Sequence, residues 1–415
     1  MNSRHAPHTR AMTNAGCDGA NGAFLLRPLT VALFIVLLAG QVSFSRLGIA
    51  NPLFIPERLF GLGLLTFLVV VVGLANIKSV PSRPAAGIIV AAPISYFLFT
   101  SLWGADVPEF WSGVTDIVCM LLSCAIISIL LSWNTTLVAE TVLWCLAITG
   151  IIFSIAGLAT ASTGSPVSAF GGGPNVYSRI TMLGFIALVG LIAMHKLPIA
   201  AMTFGPLMLV ATVVSGSRGG MLAGLVSICV LVPLVRRVKP YQIVAGLGLL
   251  VAFLVFVYQK FSDTVDRVVD GRIVQLTLQQ GYTSGRGDLY RSAWELFLDN
   301  LFRGAGLRGF AEHYGQGFTY PHNLFLLTAS EGGLVGLVVL IFALATFAVR
   351  VLHHHGSTLT LLFTAASCMI FVSSMFSGDY YDARFLWVFM IIALQVSAQE
   401  RFTRPATTTT TRLNQ

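Results

Sequence analysis

Charge is scarce in this chain. Asp, Glu, Lys and Arg make up 10% of it, against about 25% in a soluble domain, and hydrophobic residues make up 55%. That shortage excludes an ordinary soluble globular protein and leaves a polytopic membrane protein, whose backbone satisfies itself in lipid as helices or as a closed barrel. The alternation that barrel strands require is missing too. The apolar runs are continuous and close to the ~20 residues a helix needs to cross a bilayer. The expected fold class is therefore an all-α bundle.

Other absences narrow the chemistry. The six cysteines form no C-x-x-C pair, and all but Cys17 fall inside apolar runs, so they read as small buried hydrophobes. There is no Walker-type loop, no zinc triad and no aspartate pair suited to a metal-bound sugar nucleotide; the cofactor and metal expectation is none. His353, His354 and His355 read as a solvated loop. The net charge of +8 reads as cytoplasmic loop arginines and lysines that set topology, with no nucleic acid implied.

What is present is about twelve apolar runs of spanning length. They cover 28–45, 59–76, 85–103, 113–132, 137–160, 178–194, 197–214, 219–235, 241–258, 322–349, 358–376 and 384–399. The first run lacks a clear small-residue cleavage site after it and reads as a retained helix. Basic residues such as Lys78, Arg83, Lys196, Arg236, Arg237, Lys239 and Arg350 fall on one face of this alternation. Glu57, Asp106, Glu109, Asp379 and Asp382 fall on the other, with a few arginines, Arg179, Arg218 and Arg384 among them. This places both termini inside. The expected organisation is a disordered segment 1–24, nine helices over 25–258, a large outer loop domain 259–321, three helices over 322–400 and a tail 401–415.

The loop is rich in both charge signs. Asp288 to Phe297 has the periodicity of an amphipathic helix, with Tyr290, Trp294 and Phe297 suited to an interface. Asn300 to Phe310 is a glycine-rich turn region. Loops of this length are functional or disordered, and this composition predicts an ordered cap.

Three polar clusters interrupt the apolar pattern on the outer face. In Ser215-Gly216-Ser217-Arg218-Gly219-Gly220, glycines permit close backbone approach, and a guanidinium stands beside a helix N-terminus, a combination that binds phosphate. An arginine snorkelling to water explains Arg218 equally well. Arg286, in Ser284-Gly285-Arg286-Gly287-Asp288, repeats the anion arrangement at the start of the loop helix; a solvated turn arginine beside a capping Asp288 is the alternative. In Tyr320-Pro321-His322-Asn323, the imidazole can exchange a proton near neutral pH and Asn323 can orient it, or the pair caps a helix. His313 is a second histidine in the loop. Charges within spanning runs are few: Asp116, Glu140 and Glu331, the last about two and a half turns beyond His322. The cations cluster at one surface, whereas a carrier places its site near the midplane between matched halves.

In their order, Ser217-Arg218-Gly219-Gly220, Arg286-Gly287-Asp288 ahead of Trp294, Asn300-Leu301-Phe302-Arg303-Gly304-Ala305-Gly306, Pro321-His322-Asn323 and Glu331-Gly332-Gly333-Leu334 resemble the O-antigen ligase and O-antigen polymerase superfamily. The pattern spans roughly 215–335, and the helix layout with its large late loop extends it. The family's Asn-Pro-Leu-x-Gly-x-Gly appears here without its proline, which bears on local loop shape. The resemblance implies a GT-C-like glycosyltransferase of the Gram-negative inner membrane with its active site facing the periplasm and both termini cytoplasmic. The donor it implies is O-antigen on undecaprenyl pyrophosphate, and transfer needs no metal. It maps the essential arginines and histidine onto Arg218, Arg286 and His322. Around them Ser217, Gly219, Asn323, Arg303 and Arg308 are the expected substrate-binding residues. A ligase transfers the finished chain onto lipid A–core and a polymerase onto another carrier-linked repeat. The ligase is favoured, the polymerase is the alternative, and a carrier for a lipid-linked sugar or anion is the third reading.

Overall fold

In the computed structural model of the protein, residues 19–39, 57–75, 85–160, 167–235, 248, 255, 286–315, 317–352 and 357–403 are described. Among the described residues the regular elements are all helices. The α-helices are α1 (Gly19–Leu38), α2 (Glu57–Ala75), α3 (Ala85–Thr100), α4 (Phe110–Trp133), α5 (Thr135–Ala159), α6 (Pro174–Ala193) and α7 (Phe204–Val214). They continue with α8 (Arg218–Val235), α9 (Arg286–Asp299), α10 (Gly309–Tyr314), α11 (Leu324–Leu352), α12 (Thr358–Ser374) and α13 (Arg384–Thr403). Among the described residues, five stretches are long and apolar enough to cross a membrane: Ala86–Trp103, Phe110–Trp133, Thr135–Ala159, Pro174–Ala193 and Leu324–Leu352. Shorter apolar helices, among them Arg218–Leu234 and Thr358–Ser374, pack beside them. The fold is that of a polytopic membrane protein. The expected run 241–258 apart from residues 248 and 255, loop residues 259–285, the histidine run and the terminal segments before 19 and after 403 lie outside the described residues.

The core is set by which helices are apolar all round. In α13 every residue from Arg384 to Leu394 is buried, including Trp387 and Phe389. A helix with no polar stripe belongs at the centre of a bundle, and α13 is surrounded by α3, α4, α5, α11 and α12. Helix α6 forms a second centre against α5, α7, α8 and α12. Where α5 crosses α6, a Cβ on Gly150 would lie 2.6 Å from the Cα of Gly184, so the crossing depends on two small residues.

The run 322–349 is not one unbroken helix. At Gly333 the backbone turns to φ 63°, ψ −164°, and α11 breaks there. The break frees backbone groups, and the glycine-rich turn after α9 takes them up. Ala305 N–H donates to Ser330 O at 2.9 Å, Gly306 N–H to Glu331 O at 2.9 Å, and Leu334 N–H to Leu301 O at 2.7 Å. Gly304 and Gly333 are so close that a Cβ on either would strike the other's backbone. Both have positive φ, 73° and 63°. The motifs Asn300–Gly306 and Glu331–Gly333 are thus two halves of one joint. It clamps the cap to the bundle, and the Tyr96 hydroxyl secures it from α3 by donating to Gly332 O at 2.8 Å.

Gly333→Ala and Gly304→Ala should each cost about 2–4 kcal/mol, since a left-handed backbone and a backbone clash combine. Gly63→Ala, with nothing within 4 Å of its Cβ position, should be neutral or slightly stabilising. Thermal unfolding of the purified variants in one detergent checks the contrast.

Candidate active site

The polar residues that interrupt the apolar pattern meet at one end of the bundle. Helix α8 starts there because Ser217 caps it: its Oγ accepts from Gly220 N–H at 3.1 Å. The same hydroxyl donates to Asn175 Oδ1 at 2.7 Å, and Asn175 Nδ2 donates to Ser377 Oγ at 2.9 Å. This chain of hydrogen bonds ties α8 to α6 and to the 375–383 connection. Arg218 is the first residue of α8 and is half-buried. Gly219 brings α8 against the same connection, a Cβ there falling 2.6 Å from the Cβ of Phe376.

Arg286 opens α9, the loop helix foreseen from periodicity. Its apolar face, Leu289, Ala293 and Leu296, packs with Phe310 of α10. Trp294 on the opposite side is half-exposed, whereas Phe297, expected at an interface, is buried. Asn323 is the N-cap of α11: its Oδ1 accepts from Phe325 and Leu326 N–H at 3.0 and 3.1 Å. Its Nδ2 donates to Met375 O at 3.2 Å, the carbonyl that the Tyr290 hydroxyl reaches from α9 at 3.4 Å. Asn323 therefore fixes the peptide that carries His322.

His322 has a left-handed backbone, φ 60°, which costs about 1–2 kcal/mol for a residue with a Cβ. Its ring stands edge-on to Tyr320 at 4.6 Å, and its Nδ1 is buried with no hydrogen-bond partner. Burial pushes the imidazole pKa below the ordinary 6.5; Arg286 pushes it the same way, Asp382 opposes, and Arg179 adds to the lowering. Arg286, His322, Arg179 and Asp382 thus share one electrostatic neighbourhood.

Arg179 was not a candidate on sequence grounds. It lies in the second turn of α6 and is 2% exposed. Its Nη2 donates to Ser377 O, while Nε and Nη1 have no partner. Asp382, Asp379 and Tyr320 lie within electrostatic range, and so does Arg384. A guanidinium with open donors this deep would cost several kcal/mol if nothing compensated it. The available sign was its position five residues after Pro174 in an apolar run, since intramembrane charge marks function by default.

Arg308 and Arg303 part company. Arg308, at φ 63°, is buried and paired with Asp116 of α4 at 3.5 Å and Asp379 at 3.8 Å. The Glu331 carboxylate faces the same guanidinium, the amides of Arg308 and Phe310 and the Tyr380 hydroxyl, without a closed hydrogen bond. Burial beside Asp382 pushes the Asp379 carboxyl above its usual range. Arg303 is exposed on the turn after α9, and His313 is exposed on α10. Arg384 anchors the far side, its Nε donating to Leu37 O at 2.7 Å and its Nη1 to Tyr381 O at 2.8 Å. At the opposite end of the bundle, Lys196 pairs with Glu140 at 3.1 Å.

Chemically, the end that gathers Arg218, Arg286, Arg179 and His322 combines cations for an anion with an imidazole whose proton affinity burial lowers. Residues 204–341 match the family model described as O-Antigen ligase. No curated protein matches the chain. The match takes in Arg218, Arg286, Arg303, Arg308 and His322, while Arg179, Asp116, Asp379 and Asp382 lie outside it.

Two outcomes are expected. Asp116→Ala, which strips one carboxylate from buried Arg308, should destabilise by about 3–5 kcal/mol. Glu140→Gln, breaking a pair whose lysine is 45% exposed, should cost at most about 1 kcal/mol; melting temperatures in detergent separate the two. If His322 must be neutral to work, the acid limb of activity lies below pH 6.5. Arg286→Gln should move that limb to higher pH, because removing a cation raises the imidazole pKa; a pH–rate profile of the residual activity reads it.

Proposed function

We propose that this chain, whose residues 204–341 belong to the O-antigen ligase and polymerase superfamily, transfers O-antigen from undecaprenyl pyrophosphate onto lipid A–core. The reaction takes place at the periplasmic face of the inner membrane, with the domain order expected from sequence. The observation that carries the reading is the electrostatic convergence of an imidazole with an unpartnered Nδ1, a helix-N-terminal Arg286 and buried Arg179.

In this reading His322 takes the proton of the acceptor hydroxyl as its oxygen attacks the anomeric carbon. The bond from that carbon to the pyrophosphate oxygen breaks, and Arg218 and Arg286 stabilise the charge that the leaving pyrophosphate acquires. One displacement inverts the anomeric centre. Guanidinium groups supply the positive charge, so the reaction is expected to proceed in the presence of a chelator. Asn323 positions the His322 peptide, Ser217 and Gly219 shape the start of α8, Arg303 acts from the cap, and Arg308, expected to bind substrate, is buried against Asp116 and Asp379 and holds the cap in place. The same geometry serves a polymerase, in which the acceptor is a second carrier-linked repeat.

The test is transfer in detergent with undecaprenyl-pyrophosphate-linked glycan, lipid A–core and EDTA, with products resolved on a gel. A ladder on lipid A–core supports the ligase; extension of the carrier-linked chain alone would make it a polymerase. Arg286→Gln or Arg218→Ala should lower the rate about 10²–10³-fold and His322→Ala about 10²–10⁴-fold. Full transfer by any of these variants would remove that residue from the mechanism.

A further inference from the structure

Four aromatic rings lead from the cap to His322, and the mechanism above uses only the last. Phe310, buried in α10, stacks on Tyr314 with centroids 5.6 Å apart and planes 10° from parallel. Tyr314 meets Phe318 edge-on at 5.9 Å, and Phe318 meets His322 edge-on at 6.3 Å. The spacing is four residues throughout, although the described residues between Gly315 and Asn323 are not helical. Gly315 and Gly317, both at positive φ (63° and 78°), turn the segment so that the ladder continues. Its base is anchored: Phe310 and Tyr314 pack on Leu289, Ala293 and Leu296 of α9. Its top is open, Phe318 being 45% exposed while Phe310 is 0%.

An exposed phenyl ring edge-on to an imidazole, outside the spanning segments, offers an apolar face next to a hydrogen-bonding edge. A pyranose has the matching surface, a face of C–H groups and a rim of hydroxyls. We infer that Phe318 is a stacking platform for the acceptor sugar, seating the ring whose hydroxyl His322 deprotonates. This rests on the assignment of His322 as the base in the proposed transfer. A sugar in van der Waals contact lies about 4 Å above the phenyl plane. The 6.3 Å between the Phe318 and His322 centroids is then short enough for a rim hydroxyl to come within the roughly 3 Å that proton transfer needs. The donor phosphates fall to the arginines, and the ladder sets which ring and which hydroxyl face the base.

The experiment measures kcat and both KM values for wild type, Phe318→Ala, Phe318→Trp and His322→Ala. Lipid A–core and a delipidated core oligosaccharide serve in turn as acceptor. Expected are an acceptor KM raised about two- to tenfold in Phe318→Ala, the size of one aromatic contact, an unchanged donor KM, and recovery in Phe318→Trp. The rise should persist with the delipidated acceptor. An unchanged acceptor KM, or a rise in donor KM instead, overturns the platform while an inactive His322→Ala leaves the transfer reading standing. A rise seen with lipid A–core and absent with the delipidated acceptor makes Phe318 a bilayer anchor and overturns the sugar assignment. Full activity of His322→Ala overturns platform and base together.

Discussion

The arrangement of the cap depends on one buried charge. Arg308 is 7% exposed and holds Asp116 from α4 and Asp379 from the 375–383 connection, with Glu331 of α11 facing it as well. In a bundle end with little water, removing a single partner exposes the others to the full cost of an unpaired charge. Elements distant in sequence must therefore arrive together or not at all. The left-handed backbone at Arg308 is tolerable because this pairing fixes it. The glycine joint just before it, at Gly304 and Gly333, supplies close approach where the ion pairs supply sign and direction.

What could be read from sequence follows what each kind of pattern encodes. Apolar runs of spanning length encode helices, and α4, α5, α6, α12 and α13 form where those runs lie. Periodicity in Asp288–Phe297 encodes an amphipathic helix, and α9 forms over it. Periodicity does not encode a break made by one glycine at positive φ, so the interruption of α11 at Gly333 was missed. Nor does local pattern pair residues far apart: Asp116 with Arg308, or Asn175 with Ser377, separated by 202 positions. Arg179 and Arg384 were read as sparse outer-face cations because sequence gives their side and not their depth.

Function and packing also compete for the same residues. Asn323 was open to two readings, orienting group or helix cap; the cap is present, and by making it Asn323 fixes the neighbouring peptide. Ser217 likewise caps α8 and ties it to Asn175 of α6, which in turn holds Ser377 of the 375–383 connection. At a membrane surface, where loops have few apolar contacts to hold them, the cap of a helix is an economical way to aim the residue beside it.

The electrostatics of the site favour one chemistry over its reverse. Burial first, and then the charges of Arg286 at a helix start and of Arg179, make an imidazolium costly and an imidazole cheap. The same cations lower the energy of an anion arriving or departing nearby. A group that must accept a proton while a phosphate leaves benefits from both effects at once, whereas a general acid in that position would be opposed by them. Asp382 moderates the field without pairing directly with Arg179 among the described contacts. A base and a leaving-group clamp sharing one set of cations is therefore internally consistent. At a bundle end the low dielectric makes each of these charges count, and the bulk of the bilayer does not have to solvate them.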